Sequence, residues 1–538
     1  MLAIEFVGGT IYRGGGLLDV DRLVVVDERI ASGRDPHLID QTIDLEGGFL
    51  GPAFGDGHAH PILAGLETQG PQVRKATSVA EIVAIVAQWA KAHPDVPWIV
   101  GGSYDASLVE SGLFDARWLD EVVSDRPVML RAWDYHSVWC NSRALELAGI
   151  DADTEDPELG RIPRRADGTV LGTLLEWGAV DLAVRAAPPV GLSAGIDVLH
   201  YATEHFAAHG ITWIQDAWVD PRDIELWLAA DRAGVLACRA DLALRADPLR
   251  WERQRHELVA QRDAIEASPN LTCCTVKFFI DGIVENHTAH LLEDYSDACG
   301  RGMPVWPRDD LLAAAAFVDD LGFELHMHAT GDAGARSALD AVEHLSTVNG
   351  PRDRRPVIAH AQLVDSADLH RFAELGVIAC FQPLWAAHDE VMEVLTIPRL
   401  GEHRSGQQYR MRTLLDLGAH LSYGSDWPVT SAHVLGGLRT AVTRQNNRGL
   451  PSQGWIPAER ISLGEALDIA TAGVAHQARA EHCRGTLAVG KQADLVWLSA
   501  DPRVVPVSEL ADITVLGTWL AGRRTYCPLP NPQEHNNV

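Results

Sequence analysis

The stretch FELHMHATGD, Phe323 to Asp332, is an apolar run interrupted by two histidines one residue apart and closed by Gly331 and Asp332. An aromatic and aliphatic run bounded by a turn signal reads as a short strand. Similar runs recur on both sides of it: TVKFFIDG (275–282), VIAHAQ (357–362), VIACFQP (377–383) and LSYGSDWP (421–428). Between most of them lie segments with helical apolar spacing, DDLLAAAAFVDDL, ARSALDAVEHL, DSADLHRFAEL and YRMRTLLDLG. Strands alternating with helices in this way make β/α units whose parallel strands are buried on both faces.

Upstream, GITWIQDA (210–217) and CRADLALRA (238–246) continue the series and FLGPAFGDGH starts it. The strands then fall at 52–58, 211–216, 238–244, 275–281, 323–328, 357–361, 377–382 and 420–425. Eight of them predict a (β/α)8 barrel, although the pattern alone is also compatible with a doubly wound sheet. The count requires residues 65–190 to be an insertion after the first barrel strand, a lid or subdomain with its own strands at PWIVGGS and PVMLRAWD. The C-terminal RGTLAVGKQADLVWLSADP and ITVLGTWLAGRRTY share the short-strand, glycine-turn texture of the N-terminal LAIEFVGGTIYRGG and LVVVDERIASG. The two chain ends are therefore expected to share a small β-sandwich. The division is 1–50 for the N-terminal part of the sandwich, 51–64 for the first barrel strand, 65–190 for the insertion, 191–480 for the rest of the barrel and 481–538 for the C-terminal part.

The 538 residues are 46% hydrophobic and 22% charged, which is globular composition. A formal net charge of −29 repels polyanions, so nucleic acid and anionic membrane surfaces are excluded as main partners and a small molecule is favoured. The eight cysteines are scattered without a CxxC pair, which fits a reducing cytoplasm. The N-terminus lacks the basic and apolar regions of a signal peptide, and no apolar run reaches membrane-spanning length. A large insertion and an acidic surface are compatible with a homodimer.

In such barrels chemistry sits at the C-terminal strand ends. Strand one ends in His58 and His60, strand four carries Lys277 and Asp281, strand five ends in His326 and His328, strand six in His360 and strand eight in Asp426. Residues i and i+2 of a strand face the same way, so His58 and His60 can both point at the barrel axis. Any one histidine at a strand end is more often a hydrogen-bonded structural residue than a ligand. Their convergence on several strand ends makes a nitrogen- and oxygen-rich set suited to zinc or a similar divalent ion. Spacing does not separate His326 from His328 as the strand-five ligand; His328, nearer the strand end, is preferred, with His326 in the layer beneath.

Several segments together resemble the amidohydrolase superfamily, within it amidohydrolase family 3, the YtcJ-like branch that includes N-substituted formamide deformylases. They are GDGHAHP (55–61), DYHSVWCNSRALELAGI (134–150), GTLLEWGA (172–179), VKFFIDG with HTAHLLEDYSD (276–297), HMHATGDAGARSALDAVE (326–343), AHAQLVD (359–365), FQP (381–383), YGSDWPV (423–429) and GTLAVGKQADLVWL (485–498). The resemblance implies a distorted TIM barrel of the metal-dependent hydrolase type. It implies His58, His60, His328 and His360 as metal ligands and Asp426 as ligand and proton carrier. Lys277 matches the lysine that superfamily members convert with carbon dioxide into a carbamate bridging two metals; alternatively it stays a plain lysine paired with Asp281 or Glu176 near one metal. His136 and Glu176, from the insertion, fall over the barrel mouth as substrate or lid residues in this reading, with His326, Asp281 and Trp427 in supporting positions. One departure is that His287 and Thr288 stand where relatives usually show an arginine before a TA pair.

A divalent cation lowers the pKa of bound water toward about 7. The sequence is accordingly read as a metal-dependent hydrolase of a non-peptide carbon–nitrogen bond, an amide, N-formyl or carbamate-like linkage, with Asp426 passing the water's proton to the leaving amine. Trp133, Tyr135, Trp139, Trp177, Trp385 and Trp427 cluster around the motifs and suggest an apolar or aromatic substrate, though packing would explain any one of them. The alternatives are a lyase or decarboxylase on the same barrel and a non-catalytic scaffold subunit.

Overall fold

The computed structural model describes residues 2–33 and 38–528. At its centre, eight parallel strands follow one another in sequence order around a barrel: β1 (Phe54–Ala59), β2 (Ile211–Val219), β3 (Arg239–Arg245), β4 (Leu271–Phe279), β5 (Glu324–Ala329), β6 (Val357–His360), β7 (Ile378–Phe381) and β8 (His420–Tyr423). The consecutive order excludes the doubly wound sheet. Beyond the paired region, the Asp426 N–H donates to the His58 carbonyl at 2.7 Å and the His60 N–H to the Trp427 carbonyl at 2.8 Å, which draws β8 against β1. Every residue of β1, β6 and β7 is buried, as expected of strands covered by side chains within and helices without.

Helices return the chain between strands and close the outer layer. Helix Asp332–Val348 starts directly after β5, and a Cβ at Gly331, just before it, would lie 2.1 Å from the His290 carbonyl oxygen. Glycine is required there because the β4–β5 loops touch backbone to backbone. Helix Leu192–Ala208 packs Val198, Leu199 and Phe206 into the core and delivers the chain to β2.

Between β1 and that helix the chain builds a separate four-stranded sheet from Ile99–Tyr104, Val128–Ala132, Ser137–Cys140 and Thr173–Leu175, with its own core of Ile82, Val86, Tyr104, Phe114, Leu130 and Trp139. Elsewhere, Phe49–Pro52 pairs antiparallel with Leu495–Leu498, which pairs with Val515–Leu520, so strands from both chain ends share one sheet. A second sheet of Ala3–Val7, Leu23–Val26, Arg29–Ala31 and Gln41–Asp44 packs on it through Phe6, whose ring meets Trp519 edge-on at 5.2 Å. Residues 529–538 of the C-terminal segment lie outside the described residues. No described helix is long and apolar enough to cross a membrane.

Candidate active site

Strand register decides the depth at which each polar side chain enters the barrel. Lys277 pairs with His326, and Phe279 with His328, one step nearer the mouth; Ala329 then pairs with His360. His326 and Lys277 thus form a deeper layer, and His328 and His360 an upper one. Asp281 lies past the end of β4 rather than on it.

The upper layer converges on one point. Donor atoms of His58, His360 and Asp426 all lie within 4.8 Å of one another. Asp426 Oδ1 is 3.0 Å from His60 Nε2 and 3.5 Å from His58 Nε2, close to both but aligned as a hydrogen bond with neither. Neighbours hold each ring from behind. His58 Nδ1 is 2.7 Å from His326 Nε2, and His360 Nδ1 is 2.8 Å from Gln382 Oε1. His328, 4.5 Å from His360 between ring centres, turns Nε2 to the Gly282 carbonyl at 3.0 Å. His360 and Asp426 both adopt left-handed backbone, with φ of 73° and 54°, a conformation disfavoured for such residues and held here by the loops around the site.

Asp56 fixes the two edges of this cluster. Its Oδ1 accepts the N–H groups of Ser425 at 2.9 Å and His58 at 3.2 Å, and its Oδ2 accepts the Ser425 hydroxyl. Burial pushes its carboxyl up to about 7 against these hydrogen bonds. Sequence reasoning passed over Asp56, Gln382 and Ser425; the available signal was that Asp56 lies at i−2 from His58, on the same strand face.

Burial, followed by the positive field of Lys277, holds His58 well below the ordinary imidazole range. Burial also pulls His360 down to about 3, against the attraction of Asp426. Rings kept neutral keep a lone pair, which a metal ligand needs. Lys277 Nζ is fully buried with no hydrogen-bond partner, and burial pulls it down to about 7. His60 Nδ1, His326 Nδ1 and Asp426 Oδ1 are likewise buried without partners. Buried polar atoms are rarely left unmatched. A divalent cation fits this donor set of neutral imidazoles and a carboxylate.

The plain-lysine pairing is not formed. Asp281 accepts three backbone N–H groups, from Gly331 at 2.8 Å, His290 at 2.9 Å and Thr330 at 3.0 Å, and so organises the loops after β4 and β5. Glu176, also in left-handed backbone with φ of 61°, is 2.8 Å from His136 Nδ1 and accepts the Thr288 hydroxyl. Burial works against a charge on His136, but the carboxylates of Glu176, Asp134 and Asp426 together outweigh it and leave the imidazole raised. His287 pairs with Asp297 at 3.0 Å.

Above the cluster opens a cavity of about 660 Å³ lined by His58, His60, His136, His328, His360 and Asp426 and by Trp133, Tyr135, Trp385 and Trp427. Trp139 and Trp177 do not line it. Trp139 is fully buried in the core of the insertion sheet, and Trp177 lies behind the wall against Phe279, 4.3 Å between ring centres. Trp218 and Phe279 line the cavity in their place.

Barrel and imidazole–carboxylate cluster together define a metal-dependent hydrolase of the TIM-barrel type. The amidohydrolase family model matches residues 41–526, and the chain belongs to that family. It is 29% identical to the protein LONG AFTER FAR-RED 3 of Arabidopsis thaliana, over 97% of this chain and 89% of that one. It is 26% identical to the N-substituted formamide deformylase of Arthrobacter pascens, over 90% of each. A crystal structure of an uncharacterized metal-dependent hydrolase from Pyrococcus horikoshii OT3 superposes with a TM-score of 0.74 at 23% identity, covering 94% of this chain and 99% of that one.

Proposed function

We propose that the protein hydrolyses a non-peptide carbon–nitrogen bond, an amide, N-formyl or carbamate-like linkage, in a small apolar or aromatic molecule. The observation that carries this reading is the convergence of His58, His360 and Asp426 on one point at the floor of an aromatic-walled cavity. His58, His60, His328, His360 and Asp426 would hold the divalent cation, zinc in this reading because imidazole nitrogen and carboxylate oxygen suit it. Such a cation supplies an acidified water and a polarised carbonyl.

The chain's own residues do the rest. Asp426 takes the proton of the attacking water on its carboxylate and delivers it to the departing nitrogen, so the amine leaves neutral. His136, its Nδ1 held by Glu176 at 2.8 Å, stands in the cavity wall and holds the substrate oxygen through its other ring nitrogen. Trp385 stacks on His360 at 5.1 Å and with Trp133 and Trp427 excludes water from the reacting face. Lys277 is read as the carbamate: its neutral Nζ adds carbon dioxide and releases one proton, giving an anion in place of a buried amine without a hydrogen-bond partner. The formamide deformylase among the relatives supports the bond class.

A panel of amides, formamides and carbamates, assayed for free amine, tests the reading. Amine release dependent on added divalent ion is expected. Carbon dioxide released from a carboxylate substrate without hydrolysis would favour a lyase instead. Labelled bicarbonate should give a carbamate carbon signal by NMR that Lys277→Ala lacks.

A further inference from the structure

The cavity wall carries more negative charge than hydrolysis of a neutral aromatic amide requires. Besides the aromatic rings and the imidazole cluster, it is lined by Asp105, Glu285 and Asp389. None of the three forms an ion pair with a described Lys, Arg or His, and none hydrogen-bonds to the imidazole cluster. Their hydrogen bonds are local: Asp105 Oδ1 accepts the Ser107 N–H at 2.8 Å and hydroxyl at 2.6 Å, Glu285 accepts the Thr396 hydroxyl, and Asp389 Oδ1 accepts the Met392 N–H at 2.9 Å.

Two buried guanidiniums stand behind this end of the wall without lining it: Arg399, which feels the attraction of Glu285, and Arg444, 6.0 Å from the Tyr409 ring centre and held by the carbonyls of Gln408, Tyr409 and Trp455. Arg74, the only lysine or arginine among the described residues of the wall, is bound by Glu67 at 2.7 Å. Arg399 donates Nη1 to the Leu395 carbonyl at 2.7 Å, and Arg448 pairs with Glu390 at 2.9 Å. Asp389 is ringed by protein yet open to the cavity; enclosure first, then repulsion from Glu390, Glu285 and Asp105, pushes its carboxyl up to about 6 against the Met392 hydrogen bond.

A second, independent group points the same way. Tyr409 is 1% exposed and lines the cavity, and no described group hydrogen-bonds to its hydroxyl. Burial, then the fields of Glu285 and Asp389, keep it a neutral phenol. Its hydroxyl therefore reaches the cavity with its hydrogen-bonding capacity free for a guest. Partly enclosed carboxylates likewise attract a guest of opposite charge more strongly than fully solvated ones do.

We infer that the molecule this site accepts carries a positively charged nitrogen group, an ammonium or guanidinium, received by Glu285, Asp389 and Tyr409 while its scissile bond lies at the imidazole cluster. The substrate is then an amphipathic amide or formamide, aromatic or aliphatic in its middle and cationic at one end, and anionic analogues are turned away by the same wall. The cationic subsite rests on the hydrolase reading for its scissile bond but not for its charge preference.

The test uses the full-length metal-loaded protein and two probes of nearly the same shape, choline and 3,3-dimethylbutan-1-ol. Neither has a hydrolysable carbon–nitrogen bond, and the quaternary nitrogen has no lone pair for a metal. By titration calorimetry choline is expected to bind at least tenfold more tightly than the neutral isostere. Glu285→Gln with Asp389→Asn should reduce that preference to within twofold. Equal affinity of the two probes for the wild-type protein, which needs no variant to fold, would overturn the inference. A choline preference in a protein that releases no amine from any panel member would leave the cationic subsite standing and remove the hydrolase reading.

Discussion

His58 Nδ1 lies 2.7 Å from His326 Nε2, and that hydrogen bond decides what His58 offers on its other side. With His326 Nε2 as acceptor, His58 carries its proton on Nδ1 and turns a lone pair toward Asp426. With the proton on the opposite ring, His58 Nε2 would be an N–H and no ligand at all. His326→Phe removes the acceptor and leaves the tautomer unfixed. Loss of such a partner weakens metal binding by about 10–100-fold. Competition with a chromophoric chelator should read that loss, while His326→Gln, which retains an acceptor oxygen, should recover part of it.

Asp426 has no equivalent elsewhere in the cluster as a proton carrier. Asp426→Asn keeps an oxygen at the same place but cannot take up a proton. Turnover should fall by about 10²–10⁴-fold, the range of a lost general base or acid. Metal content should stay near the wild-type value. Unchanged turnover at saturating substrate would assign the proton transfers to another group.

His205 stacks flat on Trp427, 4.4 Å between centres and 8° from parallel, and burial, helped by His209, pulls it down to about 3. Its folded value lies below the ordinary 6.5, so the unfolded chain binds the proton more readily. The stability it contributes is full above pH 6.5 and is lost as pH falls toward 3. Relative to His205→Phe, which keeps the stack, the wild type should lose about 1–2 kcal/mol between pH 7 and 5, allowing for partial solvent screening. Denaturant midpoints of both proteins at the two pH values give the difference. A constant difference would contradict the assignment.

Gly331→Ala places a methyl group 2.1 Å from the His290 carbonyl oxygen, and that oxygen is backbone, with no rotamer to escape into. The loop must move, and it carries one of the N–H groups that bind Asp281, behind His328. Overpacking of this kind destabilises by about 1–3 kcal/mol. Both the thermal midpoint and the metal affinity should drop. An intact midpoint would show that the loop absorbs the methyl group.

The barrel was legible because its parallel strands are buried on both faces, which leaves continuous apolar runs such as VIAH and IACF with polar residues only at the ends. The cluster could be anticipated for the same reason, since His58, His360 and Asp426 all sit at strand exits. Side-chain direction outside the barrel was not legible. Trp139 and Trp177 stand close to motif residues in the chain, yet Trp139 lies on a strand and Trp177 in the first turn of a helix, and both rings turn into cores while Trp218 and Phe279 reach the cavity. Nor could spacing reveal the partners behind the ligands. Gln382 and Ser425 are ordinary polar residues until the fold brings them to His360 and Asp56.

The central claim is that the buried imidazoles and Asp426 hold a divalent cation on which hydrolysis depends. It is tested most directly by elemental analysis of protein purified without chelator, paired with amine release before and after chelation. The account predicts at least about one equivalent of divalent metal per chain, activity abolished by its removal and restored by its return. Substoichiometric metal together with chelator-resistant amine release would contradict it.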